Sequence, residues 1–129
     1  MQVRTIGPAR GGVIVLAVSG DLDNDTEHLL AHGAGEALDA GCRRLILQCA
    51  GVTFCDSRGL NRLLQLRQDA QRRGVDLVLA AISTPVRHVL ELTEALQVFV
   101  LADTVQQAVC PPSAADTDAD TPGRGIPTL

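Results

Sequence analysis

The sequence predicts an α/β fold, a single domain in which a mixed, mostly parallel β-sheet has its helices packed on one side. Short aliphatic and β-branched runs alternate with segments whose apolar residues recur at helical spacing. That alternation is typical of parallel strands joined by crossover helices. The chain of 129 residues also has the length of one ordinary domain.

The predicted strands are short, and the first two are expected to form a hairpin. Residues 7–12 between them are rich in Gly and Pro, which favour turns. Each later strand follows a helical segment, so the rest of the sheet should be parallel. The strands are predicted at residues 3–6, 13–18, 44–49, 75–82 and 98–101.

Four helices are predicted from the apolar spacing. In the first, Asn24 and Glu27 have the spacing of a capping box. In the second, Leu60, Leu63, Leu64 and Arg67 share the face expected to pack on the sheet. The helices should begin near residues 26, 57, 85 and 104, and the first two should end at Gly41 and Gly74.

The composition changes near the carboxyl terminus. From Cys110 onward, the chain consists largely of Pro, Ser, Thr, Asp, Ala and Gly without apolar periodicity. Such a segment buries too little apolar surface to offset its ordering entropy. We therefore expect a domain at residues 1–111 and a disordered, acidic, Pro-containing tail at residues 112–129.

Charge and composition exclude several classes of function. The formal charge is -4 and no basic run occurs, while Phe54 and Phe99 are the only aromatic residues, so nucleic acid is not an expected partner. Lys is absent, which excludes a Schiff-base or Walker lysine. No apolar run approaches the roughly 20 residues needed to span a bilayer, and Met1 is not followed by a signal segment. A cytoplasmic protein without membrane association is expected.

The cysteines and histidines do not form a metal-binding pattern. His28 and His32 are four residues apart but lack the Glu of an HExxH motif and a third ligand. No CxxC pair occurs, so reduced, unpaired thiols are expected at Cys42, Cys49, Cys55 and Cys110. Neither a metal nor another cofactor is predicted.

Two loop segments carry the candidate functional residues. Residues 20–23, Gly-Asp-Leu-Asp, place Asp21 and Asp23 between a strand and a helix. Paired acids in a loop are commonly solvated caps, and no neighbouring His or Lys completes acid–base chemistry.

The second segment places Asp56 and Ser57 where a loop enters a helix. A serine there is commonly an N-cap. Its hydroxyl also lies among free helix N–H groups that can receive a phosphate.

Together, the two segments resemble the STAS domain, the fold shared by anti-sigma factor antagonists and the cytoplasmic tails of sulfate transporters. Residues 20–23 resemble the family's Gly-Glu-Leu-Asp segment. Residues 52–60, Val-Thr-Phe-Cys-Asp-Ser-Arg-Gly-Leu, resemble its hydrophobic-Asp-Ser-Ser-Gly-Leu signature, and residues 83–93 resemble its third-helix segment. The likeness covers roughly residues 3–109.

The resemblance implies a non-enzymatic anti-sigma factor antagonist. Its unphosphorylated form would bind an anti-sigma factor serine kinase and so release a sigma factor. Phosphorylation at Ser57 would end that binding, and a serine phosphatase would restore it. Arg58 stands where the family has a second small residue. The residues expected to bind the partner are Asp21, Asp23, Asp56, Ser57, Arg58 and Asn61.

Two other functions remain open from the sequence. One is a STAS subunit that docks in a lipid-transport or stressosome-like assembly without a phosphorylation cycle. The other is a small hydrolase using Cys55 or Ser57, although no His stands in a recognisable catalytic signature.

Overall fold

A five-stranded sheet forms the centre of the molecule in a computed structural model, which describes residues 1–9 and 12–109. Its strands lie side by side in chain order. They are β1 (Gln2–Ala9), β2 (Val13–Leu22), β3 (Arg44–Cys55), β4 (Asp76–Ala80) and β5 (Val100–Ala102). The helices are α1 (Glu27–Asp39), α2 (Ser57–Arg72), α3 (Thr84–Leu92) and α4 (Val105–Val109).

The topology confirms the predicted mixed, mostly parallel sheet. β1 and β2 form the expected antiparallel hairpin, with Val3 opposite Val18. β2, β3, β4 and β5 then pair in parallel. Each parallel connection contains a helix, as a crossover between parallel strands requires.

β3 is longer than predicted. We expected a strand at residues 44–49 followed by a loop, but the strand continues to Cys55. Its second half pairs with the end of β2, and the register shifts between Ala17 and Ser19 and again between Gly20 and Asp21. Gly51 permits this close approach, because a Cβ there would lie 2.8 Å from the Cβ of Ser19.

The core lies on both faces of the sheet. Adjacent strand residues point to opposite faces, so Leu47 joins the larger cluster and Ile46 the smaller one. The larger cluster packs the sheet against α1, α2 and α3, through residues such as Leu30 and Leu63. The smaller one includes Ala108 of α4. The one-sided arrangement therefore describes the three longer helices, while the short α4 covers part of the other face.

The start of α1 differs from the prediction. Asn24 and Glu27 do not form a capping box, because Thr26 is the N-cap residue and α1 begins at Glu27. Asp23 organises the preceding turn instead. Its Oδ1 accepts hydrogen bonds from the backbone N–H groups of Asp25 at 3.0 Å and Thr26 at 3.2 Å.

The buried face of α2 is also rotated slightly from the expected one. Its fully buried leucines are Leu60, Leu63 and Leu66, whereas Leu64 packs only partly against the core. Burial every third or fourth residue is the usual pattern of a helix lying on a sheet. The tail expected at residues 112–129 lies outside the described residues.

Candidate functional site

The carboxyl ends of β2 and β3 meet at one edge of the sheet. Asp21 lies opposite Phe54, and Leu22 lies opposite Cys55. A side-chain hydrogen bond joins the two strand ends, since the hydroxyl of Thr53 donates to Oδ1 of Asp21 at 2.9 Å. Both loop segments identified in the sequence therefore leave the sheet at neighbouring points.

The loop after β2 is ordered by hydrogen bonds around Thr26. Its hydroxyl donates to the backbone oxygen of Asp21 at 2.6 Å, and it also accepts from the N–H of Asp23 at 3.1 Å. The side chain of Asp21 is exposed and that of Asp23 is half-buried. Asp21 thus lies near the end of β2 and not in the expected loop, because β2 continues to pair with β3, whereas the carboxylate of Asp23 is held in a defined turn.

Asp56 connects the end of β3 to the start of α2. It adopts an extended backbone conformation as the N-cap, and its Oδ1 accepts a hydrogen bond from the N–H of Gly59 at 3.0 Å. Its own N–H donates to the backbone oxygen of Leu22 at 3.3 Å. The carboxylate of Asp56 therefore satisfies one of the free N–H groups at the helix start.

Gly59 lets the first turn of α2 pack directly on the end of β2. A Cβ at this position would lie 2.6 Å from the backbone oxygen of Leu22 and 2.8 Å from its Cγ. Neither distance is compatible with a side chain. The close approach brings the beginning of α2 next to the end of β2, which carries Asp21, and next to the following turn, which carries Asp23.

Ser57 is the first residue of α2, and its side chain is exposed. Arg58 and Asn61 are exposed as well. Asn61 lies one helical turn beyond Ser57, on the same side of the helix. The hydroxyl is therefore accessible to a macromolecule that covers this end of the sheet.

A charged contact joins the first turn of α1 to α2. Nε of Arg62 donates to Oε2 of Glu27 at 2.6 Å, and each side chain is about a quarter exposed. This hydrogen bond holds the pKa of Glu27 below its ordinary value, and the charges of Arg62, Arg58 and His28 act in the same direction. Burial acts in the opposite direction and raises the pKa of Glu27. The carboxylate of Glu27 thus lies in the field of cations on α2.

Comparison of the sequence with protein-family models gives a match to the STAS domain over residues 7–108. This chain belongs to the STAS domain family. The resemblance inferred from the two loop segments is therefore confirmed, and both segments lie within the matched region.

Characterised STAS proteins resemble the chain over most of its length. An anti-sigma F factor antagonist of Paenibacillus polymyxa is 23% identical over 99 residues, which make up 76% of this chain and 85% of that protein. An anti-sigma factor antagonist from Mycobacterium paratuberculosis has a similar structure, with a TM-score of 0.68 and 25% identity over 84% of this chain and 92% of its own. The anti-sigma factor antagonist SpoIIAA, in its unphosphorylated form, gives a TM-score of 0.69 and 19% identity over 84% and 93%.

The thiol next to the STAS signature is poorly suited to nucleophilic chemistry. Cys55 is buried, and its Sγ lies 3.7 Å from the backbone oxygen of Asp56. Burial, followed by the negative charge of Asp56, raises the pKa of Cys55 to about 11. A neutral thiol is a weak nucleophile, so the geometry disfavours the hydrolase mechanism through Cys55.

Within residues 1–9 and 12–109, no group of three or more His, Cys, Asp or Glu side chains is arranged to hold a metal ion. His32 instead lies 3.6 Å from Glu36 on the exposed side of α1. None of the helices in the described part of the STAS domain is both long and apolar enough to cross a bilayer.

The STAS fold brings the six candidate residues to one end of the sheet, at the end of β2, in the turn that follows it, and at the N-cap and first turns of α2. Three further residues at this end were missed by the sequence analysis. Thr53 binds Asp21, Phe54 exposes 47% of its surface, and Arg62 binds Glu27. Thr53 and Phe54 were missed because a loop was expected where β3 continues. Arg62 was missed because its contact with Glu27 depends on how α1 and α2 pack.

Proposed function

We propose that this STAS domain is an anti-sigma factor antagonist whose binding to an anti-sigma factor serine kinase is controlled by phosphorylation of Ser57. The unphosphorylated protein binds the kinase, and a sigma factor is thereby released. The phosphorylated protein dissociates, and a serine phosphatase restores the binding form. We assign this function to residues 1–111 and to the cytoplasm, with residues 112–129 as the acidic, Pro-containing tail expected from the sequence.

The exposed hydroxyl of Ser57 at the start of α2 is the observation that carries the proposal. In the transfer step, Oγ of Ser57 attacks the γ-phosphorus of ATP. The new bond joins Oγ to phosphorus, the bond between phosphorus and the β,γ-bridging oxygen breaks, and ADP leaves. A base of the kinase accepts the hydroxyl proton. The STAS domain is the substrate of this reaction and not its catalyst.

The surroundings of Ser57 explain how one phosphate changes binding. Phosphorylation adds about -1.5 to -2 charges at neutral pH. Asp21, Asp23 and Asp56 already make this end of the sheet acidic. The added group therefore makes this end of the sheet still more negative, and it occupies part of the surface that the partner covers.

The relatives support the partner class. The relative from Paenibacillus polymyxa and the two similar structures named above are anti-sigma factor antagonists. SpoIIAA is described in an unphosphorylated form, which supports a phosphorylation cycle in that protein. The buried, protonated thiol of Cys55 supports a binding role over catalysis.

The proposal is tested by incubating the protein with a candidate anti-sigma kinase and ATP. Intact-mass analysis should show one added phosphoryl group, and peptide mapping should place it on Ser57. Ser57→Ala should remain unmodified. Ser83→Ala is a matched control, because Ser83 is also at a helix start, as the N-cap of α3. Phosphate on another residue, with Ser57 unmodified, would refute the phosphorylation switch.

Docking without phosphorylation is the second candidate function. The observation in its favour is Arg58, which replaces a second small residue of the family signature and puts a permanent cation beside the acceptor. Stable capture of a multi-subunit assembly from the native cytoplasm, together with an unmodified Ser57, would favour this function. Capture of a kinase in the absence of ATP, and its loss on adding ATP, would favour the switch.

A further inference from the structure

One ion pair connects α1 to α2 near the start of both helices, and another connects the end of α1 to Arg73, the C-cap residue of α2. At the amino-terminal end, Arg62 binds Glu27, the first residue of α1. At the other end, Nη1 of Arg73 binds Oδ1 of Asp39, the last residue of α1, at 2.6 Å. The first pair lies on the side of Ser57, and the second lies at the opposite end of α2. A local change at Ser57 should therefore affect the two pairs differently.

The pair near Ser57 is not electrostatically isolated. Arg58 lies one helical turn before Arg62, so both guanidinium groups emerge from the same side of α2. The charge of Arg58 also acts on Glu27, where it helps to hold the pKa of the carboxyl below its ordinary value. The carboxylate of Glu27 thus binds Arg62 directly and also feels the charge of Arg58.

We propose that a phosphoryl group on Ser57 competes with the Glu27 carboxylate for Arg58 and Arg62, and so weakens the contact between the first turn of α1 and α2. The inference rests on the proposed function, because it takes Ser57 as the phosphate acceptor. It adds a second consequence of phosphorylation to the change of charge, namely a change in the turn that precedes α1.

The chemistry of the groups favours this exchange. A phosphate carries more charge than a carboxylate and binds guanidinium groups through two parallel hydrogen bonds. Arg58 is adjacent to Ser57 in the chain, and Arg62 lies five residues on, about 7.5 Å along the helix axis. The N–H of Gly59 already donates to Asp56. The N–H groups of Ser57 and Arg58 at the helix start can donate hydrogen bonds to the phosphate, and the two side-chain cations supply the positive charge that neutralises it.

The consequence extends to the acidic loop. Glu27 directly follows Thr26, whose N–H binds the Asp23 carboxylate and whose hydroxyl binds the backbone oxygen of Asp21 at the end of β2. When Glu27 loses its contact with Arg62, the first turn of α1 and this hydrogen-bonded turn become less protected. Phosphorylation on one loop then alters the partner surface on the other.

The experiment uses protein with phosphoserine installed at position 57 during translation, so that no kinase is needed. We expect the Nε–H resonance of Arg62 to shift in NMR spectra. Amide hydrogen exchange in the first turn of α1 should rise severalfold, while exchange around Asp39 stays unchanged. Glu27→Gln in unphosphorylated protein should reproduce the faster exchange, and Arg73→Gln should leave the first turn of α1 protected.

Two results would overturn the inference. One is an unchanged Arg62 resonance with unchanged exchange at Glu27 in the phosphorylated protein. The other is faster exchange at both ends of α1, which would indicate general destabilisation. Because the phosphoserine is installed directly, failure of a kinase to modify Ser57 would refute the proposed function without affecting this measurement.

Discussion

Asp56 and Gly59 form the hydrogen bond that begins α2, with 3.0 Å between Oδ1 and the backbone nitrogen. The same glycine packs against the end of β2, where no side chain would fit. One short segment thereby sets both the start of the helix and its distance from the acidic loop. Ser57 lies between these two residues, so the hydrogen bond and the packing of Gly59 hold it at the exposed start of α2.

Removal of the Asp56 carboxylate should destabilise the fold. Asp56→Ala removes the only side-chain cap described for α2, and loss of such a cap typically costs about 0.5–2 kcal/mol. Asp56→Asn keeps an oxygen that can accept from Gly59 and should cost much less. The free energies of unfolding from urea titrations give the comparison. Equal losses for both variants would show that charge, rather than the hydrogen bond, matters here.

A matched pair of glycine substitutions tests the close approach of α2 to β2. Gly59→Ala should destabilise the protein strongly, because its Cβ would clash with the backbone and side chain of Leu22. Gly35→Ala in α1 meets no atom within 4 Å and should stabilise by roughly 0.5–1 kcal/mol. Thermal melts of both variants distinguish these effects. A neutral Gly59→Ala would mean that the two elements are further apart.

The packing of α2 is tested by two adjacent leucines. Leu63 is 1% exposed, whereas Leu64 is only partly buried. Leu63→Ala should cost about 2–5 kcal/mol, and Leu64→Ala should cost clearly less. Urea unfolding measures both. A larger loss at Leu64 would indicate that the other face of α2 packs on the sheet.

Stability should fall in alkaline solution because of buried thiols. Burial raises the pKa of Cys49 from 9.0 to about 12, and burial with the charge of Asp56 raises that of Cys55 to about 11. Because these pKa values are raised in the folded state, the unfolded protein loses the thiol protons at lower pH than the folded protein does. The contribution of the buried thiols to stability is therefore complete below pH 9, and it is lost as the pH rises towards the pKa values of the folded state. The chain has neither Lys nor Tyr, so few other side chains titrate between about pH 9 and 11.

Cysteine variants identify the source of this pH dependence. Cys49→Ala and Cys55→Ala should each lower stability at neutral pH, because they leave small cavities. Each should also flatten the decline in the free energy of unfolding between about pH 9 and 11. Chemical unfolding at several pH values gives both quantities. A decline as steep as that of the unmodified protein would assign it to other groups.

The architecture was predictable because its signals are local. Apolar spacing defines each helix, and the Gly-Pro-rich residues 7–12 between two strands favour the hairpin. No comparable sequence pattern indicated that β3 continues beyond residue 49 to Cys55. Thr53 and Phe54 are both exposed, so this part of the strand lacks the alternation of a half-buried strand. It is a strand because it pairs with the end of β2.

The candidate site was predictable in part for a similar reason. Asp56 and Ser57 belong to a continuous segment that can be recognised in the sequence. Glu27 and Arg62 are 35 residues apart, and their contact depends on how α1 lies beside α2. The spacing of Asn24 and Glu27 indicated a local capping box, but in the structure Glu27 binds Arg62 and Thr26 is the N-cap of α1.

The sharpest prediction concerns binding of the anti-sigma kinase. Ser57→Ala preserves the exposed start of α2 and should bind the kinase with or without ATP, since no phosphate can be added. Ser57→Asp places a single negative charge at the same position and should bind weakly. A loss of only about 3 kcal/mol weakens a complex roughly a hundredfold, which is enough for a switch. Calorimetric titration measures both affinities, and Asn61→Ala serves as a control for loss of contact area without added charge. If Ser57→Asp binds as tightly as Ser57→Ala, charge at this position does not control the complex, and docking without a phosphorylation cycle becomes the better account of the site.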